Sequence, residues 1–280
     1  EVRYSSTFSD RFNFVVGVNQ FQQEYSIGER RNFFVSLNAA TYSETEHDTF
    51  GVFGEINFNV TDALSVTAGG RWTKEEKSID IGILGSCELD FSSCTNNASN
   101  EKDWSNFSPK VSAQYQFTDD MMAYASWTRG FASGVFNARA ATLDAVGPTN
   151  PESVDSLEVG FKTSFLDGRG IFNIAYFQSD YEDLILFVNN PCDDCGASLI
   201  NFNAGEAEIS GFEAEVQLQP VDGLRLEASI GTVDPEFTNI KYFDANADGV
   251  VDSKDNALAS TWDFQKVAEL SYSVAGSYQM

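Results

Sequence analysis

The sequence predicts an all-β chain, specifically a stretch of transmembrane antiparallel β-barrel, and three observations carry that prediction. Apolar and polar residues alternate with period two along most of the chain. Short turns bearing Asp recur at near-regular spacing. Longer segments fall near the middle of the intervals between those turns, so they share the opposite side.

The alternation is clearest where it runs longest. Leu157, Val159, Phe161 and Phe165 alternate with Glu158, Gly160, Lys162 and Ser164. Phe212, Ala214, Val216 and Leu218 interleave with Glu213, Glu215 and Gln217, and Leu224, Leu226, Ala228 and Ile230 with Arg225, Glu227 and Ser229. Val111, Ala113, Tyr115 and Phe117 follow the same rule, as do Val52, Ile56, Phe58 and Val60, where Phe53 breaks the polar set. No segment of comparable length has a helical period, and about eleven strands can be counted.

The turns lie at Ser9-Asp10-Arg11, Thr61-Asp62-Ala63, Thr118-Asp119-Asp120, Leu166-Asp167-Gly168 and Val221-Asp222-Gly223, with the Asp residues 52, 57, 48 and 55 positions apart. Each of the four intervals holds two strands and one long segment, at 23–49, 75–104, 131–150 and 189–199, and a fifth long segment, 234–262, follows the last turn. Short turns on one side and long loops on the other is the arrangement of outer-membrane barrels, with the loops extracellular. A soluble sandwich would distribute shorter loops over both ends. In the barrel reading the apolar set faces lipid and the Glu, Gln, Asn, Ser and Lys set faces a wet lumen. Trp72, Trp104, Tyr115 and Trp127, near strand ends, are expected at the membrane interfaces.

Composition agrees. The chain carries 24 phenylalanines, 10 tyrosines and 4 tryptophans, yet its mean hydropathy is −0.25. No apolar run approaches the ~20 residues of a membrane helix. The net charge of −25 argues against nucleic acid, which wants clustered Lys and Arg. The cysteines form two close pairs, Cys87 with Cys94 and Cys192 with Cys195. Both fall in the long segments and are expected to be structural disulfides of an oxidising compartment. A redox pair or half a zinc site is the alternative for Cys192-Asp-Asp-Cys195. The chain has no initial Met or signal segment, and it stops at Met280 inside an alternating segment. A barrel must close to remove its edges, so the reading is of a fragment with strands missing at one or both ends.

Three blocks carry a family resemblance. They are the hairpin from Phe50 to Glu76; Tyr124-Ala-Ser-Trp-Thr-Arg-Gly-Phe131 followed by the run from Asn150 to Lys162; and the segment from Asn203 to Glu215. In this order they resemble the middle to late barrel of TonB-dependent outer-membrane receptors. The resemblance implies a 22-stranded barrel in the Gram-negative outer membrane, plugged by an N-terminal domain that is not in this chain. It also implies uptake of a scarce nutrient, with ferric siderophores the leading ligand class, driven by the TonB complex acting through that plug. Implied partners are outer-membrane lipid and lipopolysaccharide, the small-molecule nutrient and a surface lipoprotein. The rivals are a passive porin or adhesin barrel and a secreted, soluble calcium-binding β protein.

One sharp chemical motif remains. Asp244-Ala-Asn-Ala-Asp-Gly-Val-Val-Asp-Ser-Lys-Asp255 fits the twelve-residue calcium loop. Asp244, Asn246 and Asp248 take positions 1, 3 and 5, and Gly249 makes the turn at 6. Val250 offers its carbonyl at 7, Asp252 stands at 9 and Asp255 at 12. Asp at the last position is shorter than the usual Glu, so weaker closure is expected. A structural Ca²⁺ on the extracellular side is the expectation; the bland alternative is a solvated acidic turn. Nothing points to an enzyme: the lone His47 has no nucleophile elbow near it, and no phosphate- or dinucleotide-binding glycine motif occurs. Phe33-Phe34 and Tyr242-Phe243 could stack on a ligand, with loop packing the blander reading.

Overall fold

The computed structural model describes residues 1–6, 9–33, 37–83, 85–87, 91–192, 196–240, 264 and 266–279. Its eleven strands are β1 (Val2–Ser5), β2 (Phe12–Phe33), β3 (Leu37–Asn59), β4 (Leu64–Gly82), β5 (Asn97–Thr118), β6 (Met121–Ala132), β7 (Glu152–Phe165), β8 (Gly170–Cys192), β9 (Gly196–Val221), β10 (Leu224–Ile240) and β11 (Leu270–Tyr278). They pair in sequence order, each antiparallel to the next, in one sheet. The Asp-bearing turns join β1–β2, β3–β4, β5–β6, β7–β8 and β9–β10. At the β7–β8 turn Leu166, Asp167 and Gly168 all take positive φ, and Asp and Gly supply two of the three at low cost. No helix among the described residues is long and apolar enough to cross a membrane, which leaves strands as the spanning elements.

Register assigns the faces. Val111 stands opposite Ala68 and Trp127, and Leu157 opposite Trp127 and Gln178, so the apolar sets of neighbouring strands share one face. That face is exposed: Val111 is 47% accessible, Val159 47% and Phe212 55%. Large apolar side chains in open rows across an entire sheet match a surface whose solvent is lipid. The opposite face is polar and bonded across strands. Asn57 donates to Thr67 at 3.0 Å, Lys110 pairs with Glu55 at 2.7 Å, and Ser156 meets Ser179 at 2.8 Å. Phe53, the aromatic that breaks the polar set, lies over Gly17, where any Cβ would overlap its ring.

The strands are longer than the sequence pattern indicated. A bilayer needs ~9–11 residues of tilted strand, yet β2 has 22, β3 has 23 and β9 has 26. The segment read as a loop at 23–49 is mostly a ladder that continues to Phe33↔Leu37. The segment at 75–104 contracts to 83–96, because β4 and β5 stay paired to Gly82↔Asn97. At 189–199 the pairing persists to Cys192↔Gly196, and β10 runs to Ile240, into the segment read as a loop from 234. Only 131–150 keeps its reading, as the 133–151 connection. Above the bilayer both faces meet water, so alternation fades while backbone pairing continues. The apolar face shows this border: Trp72 is followed on the same face by Lys74 and Glu76, which form an ion pair.

Candidate functional site at the extracellular end of the lumen

Above the bilayer the lumenal face of β4 turns apolar, and this change builds the site. Arg71, Thr73, Glu75 and Lys77 give way on the same face to Ile79, Ile81 and Ile83, which are 2%, 0% and 3% accessible. They are covered by the β6–β7 connection, whose Ala140 and Val146 are fully buried against them, with Ala98, Phe136, Ala138 and Ala145 around the edge. The connection therefore folds inward as a shelf on the lumenal wall. Its outer end reaches β2, where Arg139 pairs with Glu29 at 2.8 Å. Its return is pinned to β9: Asn150 N–H donates to Asn203 Oδ1 at 2.8 Å, and Asn203 Nδ2 donates back to the Asn150 carbonyl at 3.0 Å.

A polar latch fastens the start of the shelf. Glu75 accepts from Ser133 Oγ at 2.6 Å, meets His47 Nε2 at 3.0 Å, and has Lys77 Nζ at 3.6 Å. Lys77 also donates to the Gly134 carbonyl at 3.1 Å and lies 5.8 Å over the Trp104 ring. Burial pushes the Glu75 carboxyl up, but Ser133, Lys77 and His47 together outweigh it and hold it below the ordinary carboxylate value. Burial pushes the Lys77 ammonium down against the pull of Glu75. Trp104 is thus corrected from an interfacial aromatic to a lumenal one: it is 7% accessible and packs against Phe136. Its position opposite Glu75 puts it on the polar face, a matter of register rather than of distance from a strand end. Trp72, Tyr115 and Trp127 do lie exposed on the apolar face.

Cys87 and Cys94 form a disulfide in the β4–β5 connection, with Cα atoms 4.0 Å apart. Both sulfurs sit on Gly82, where a Cβ would overlap them. Gly82→Val should therefore prevent the bridge from seating, and non-reducing mass spectrometry after alkylation should find both thiols modified; a fully oxidised pair would contradict this packing. Cys192 closes β8, but its side chain lies outside the described residues, as does Cys195. The calcium-loop residues Asp244, Asn246, Asp248, Val250, Asp252 and Asp255 also lie outside them, as do Phe34, Tyr242, Phe243 and the side chain of Phe33.

Lower on the lumenal wall, Tyr124, Glu158, Lys162, Asn173, Glu213 and Glu215 line an open recess of about 420 Å³. Tyr124 donates to Glu158, Lys162 lies 5.4 Å over the Tyr124 ring, and Asn173 and Gln217 donate to Glu215. In the sequence these residues are only the polar half of an alternating pattern. Their convergence comes from register, which no single strand reveals.

The family model described as "TonB dependent receptor-like, beta-barrel" matches residues 2–280. The chain belongs to the TonB-dependent receptor family. It is 26% identical over 207 residues to the "Ferric-pyoverdine M114 receptor PbuA" of a Pseudomonas species, covering 72% of this chain and 23% of that protein. It is also 26% identical over 191 residues to the "Ferripyoverdine receptor" of Pseudomonas aeruginosa, covering 67% and 21%. The chain therefore spans less than a quarter of the length of these relatives. Among solved structures it resembles the ferric yersiniabactin uptake receptor FyuA of Yersinia pestis, with a TM-score of 0.71 at 18% identity, over 85% of this chain and 34% of that one. It likewise resembles the ferric-catecholate import receptor Fiu of E. coli, with a TM-score of 0.66 at 16% identity, over 99% and 41%. These two likenesses show the fold.

A TonB-dependent receptor barrel lies in the Gram-negative outer membrane, and its family is one of receptors and transporters, not of enzymes. The exposed apolar face of this barrel is accordingly its lipid face. The shelf, the latch and the disulfide all stand on the end opposite the short turns, which is extracellular in such barrels. The sequence reading missed the shelf. Its available signal was the Ile79-Asp-Ile-Gly-Ile83 run, where apolar residues occupy the positions that register assigns to the lumen.

Proposed function

We propose that this barrel is part of a receptor for TonB-coupled active uptake of a ferric siderophore. The observation that carries the reading is the match to two receptors named for ferric pyoverdine across about two thirds of the chain or more. The barrel geometry supports it, because a polar lumenal wall narrowed by an inward shelf suits a selective path better than an open pore. In this reading the energy enters from the TonB complex through a plug domain outside this chain. The lipid face meets outer-membrane lipid and lipopolysaccharide, and a surface lipoprotein is a further partner on the extracellular side.

The test uses the full-length receptor in an iron-starved Gram-negative host lacking its own siderophore receptors. Uptake of ⁵⁵Fe from a panel of ferric siderophores should appear with the receptor and vanish in a tonB-deficient host. Uptake that persists without TonB, or none for any chelate, would refute it. The acidic loop of Asp244, Asn246, Asp248, Val250, Asp252 and Asp255 is proposed to hold a structural Ca²⁺, because its hard oxygen donors and glycine follow the calcium-loop spacing. Chelator treatment should speed proteolytic cleavage within 241–263 several-fold, and unchanged cleavage would count against the metal.

A further inference from the structure

Outside the barrel, the rows that face lipid change character at their extracellular end. Carboxylates stand a few outward positions above the last large apolar residues: Asp48 above Phe50, Glu76 above Trp72 and Asp103 above Phe107. On the other side of β6, Asp155 stands above Leu157, Glu208 above Phe212 and Glu236 above Ile230. Register sets these groups directly opposite one another across the strands. Asp48 faces Glu76, and Glu76 faces Asp103. Asp155 faces Asp180, Asp180 faces Glu208, and Glu208 faces Glu236. Two ladders of carboxylates result. They lie on the outward face, which borders lipid and water however many strands complete the barrel.

Like charges directly opposite on antiparallel strands have Cβ atoms about 4.5–5.5 Å apart and destabilise the pairing. The lumenal wall avoids this cost by mixing signs: Glu55 meets Lys110, Glu75 meets Lys77 and Glu227 meets Arg225. The outer ladders do not. Among the described residues Lys74 pairs with Glu76 and Arg129 with Asp155, one ion pair to each ladder. Both ladders therefore keep an excess of negative charge, held together at close range by the register.

The lipid face directly beneath fixes what lies beside them, because the exposed apolar rows end where the hydrocarbon ends and the headgroups begin. Lipid phosphates at that height are themselves anionic, so direct contact would add to the repulsion. A hard divalent cation removes both problems, since Mg²⁺ is typically held by one or two carboxylates together with phosphate oxygens and water. Among the described residues no group of three acidic side chains converges as a complete metal site, so an ion on a ladder takes its remaining ligands from outside the protein. We propose that the two ladders form an outer collar that docks phosphate-bearing lipid headgroups through shared divalent cations. The collar deepens the lipid contact named above; it rests on the barrel's place in the outer membrane and is independent of what the receptor imports.

The experiment folds the full-length receptor into vesicles of phosphatidylcholine, whose phosphate is balanced by its own choline, or of phosphatidylcholine mixed with lipid A. Urea unfolding is compared in MgCl₂ and in NaCl of equal ionic strength. In the lipid A vesicles Mg²⁺ should raise the folded-to-unfolded ratio about tenfold, the mass-action gain for a ligand at about ten times its dissociation constant. In phosphatidylcholine alone the gain should be several-fold smaller. Replacing one ladder (Asp48→Asn, Glu76→Gln and Asp103→Asn together) should stabilise the barrel without Mg²⁺ and remove much of the gain. The other ladder (Asp180→Asn, Glu208→Gln and Glu236→Gln) should behave alike. Each is tested separately, so if one variant fails to show the heat-modifiable gel mobility of a folded barrel, the other decides. A gain of equal size in phosphatidylcholine would mean an ion held by the protein alone, as in the acidic loop at 244–255, and overturns the collar. A gain in lipid A vesicles that survives the ladder substitutions belongs to the lipid and overturns it too. Iron uptake is not read here, so failure of the collar leaves the uptake reading standing.

Discussion

Val111→Arg should destabilise the full-length barrel by about 2–4 kcal/mol, the cost of a cation on the lipid face near the bilayer midplane. Val111 lies between Phe107 and Phe117 in the apolar row of β5, and it is 47% accessible there. Ser112→Arg, one residue on, places the same side chain in the lumen and should cost little. The contrast is the useful part, since both variants place the same charged side chain on neighbouring positions of one strand. Chemical unfolding in lipid vesicles reads the difference, and equal effects of the two substitutions would refute the face assignment.

Ile81→Ala should cost about 2–5 kcal/mol, the range for truncating a fully buried aliphatic side chain. The loss falls on docking of the shelf and not on the barrel, because Ile81 is buried only where Ala140 and Val146 cover it. The expected result is local opening. Amide hydrogen exchange in 133–150 should accelerate by one to three orders of magnitude, while β6 and β7 within the bilayer keep their protection. If exchange across the shelf is unchanged, the apolar platform is not what holds it. The latch of Glu75, Ser133 and Lys77 and the Arg139–Glu29 pair would remain, so Ile81→Ala should loosen the shelf more than removal of either polar tie. Those ties are partly solvated, and exposed ion pairs contribute little.

Both predictions rest on a distinction between what one strand reveals and what pairing adds. The hairpin order, the turns at Asp10, Asp62, Asp119, Asp167 and Asp222, and the lipid face were legible in the sequence. Each is encoded locally, by period-two alternation or by residues that tolerate turn geometry. The lengths of β2, β3 and β9 were not legible. Outside the bilayer neither face must be apolar, and the ladder continues through polar residues such as Gln22 and Glu46 without leaving a pattern. Trp104 shows the same limit. As a Trp near a strand end it reads as interfacial, and only its pairing with Glu75 turns it inward.

By itself the sequence determined the class of this protein: a strand-turn-strand chain with an inside, an outside and a side for its long loops, because a bilayer imposes alternation on every residue that crosses it. It also located the Cys87–Cys94 bridge by proximity in the chain. Tertiary structure alone decided which polar and aromatic residues meet. Register brought Glu75, His47, Lys77 and Ser133 to one point from three different segments and folded the β6–β7 connection onto three isoleucines. The physical reason is that a one-residue shift of any strand would exchange its faces, so these meetings are properties of the pairing and not of any strand alone.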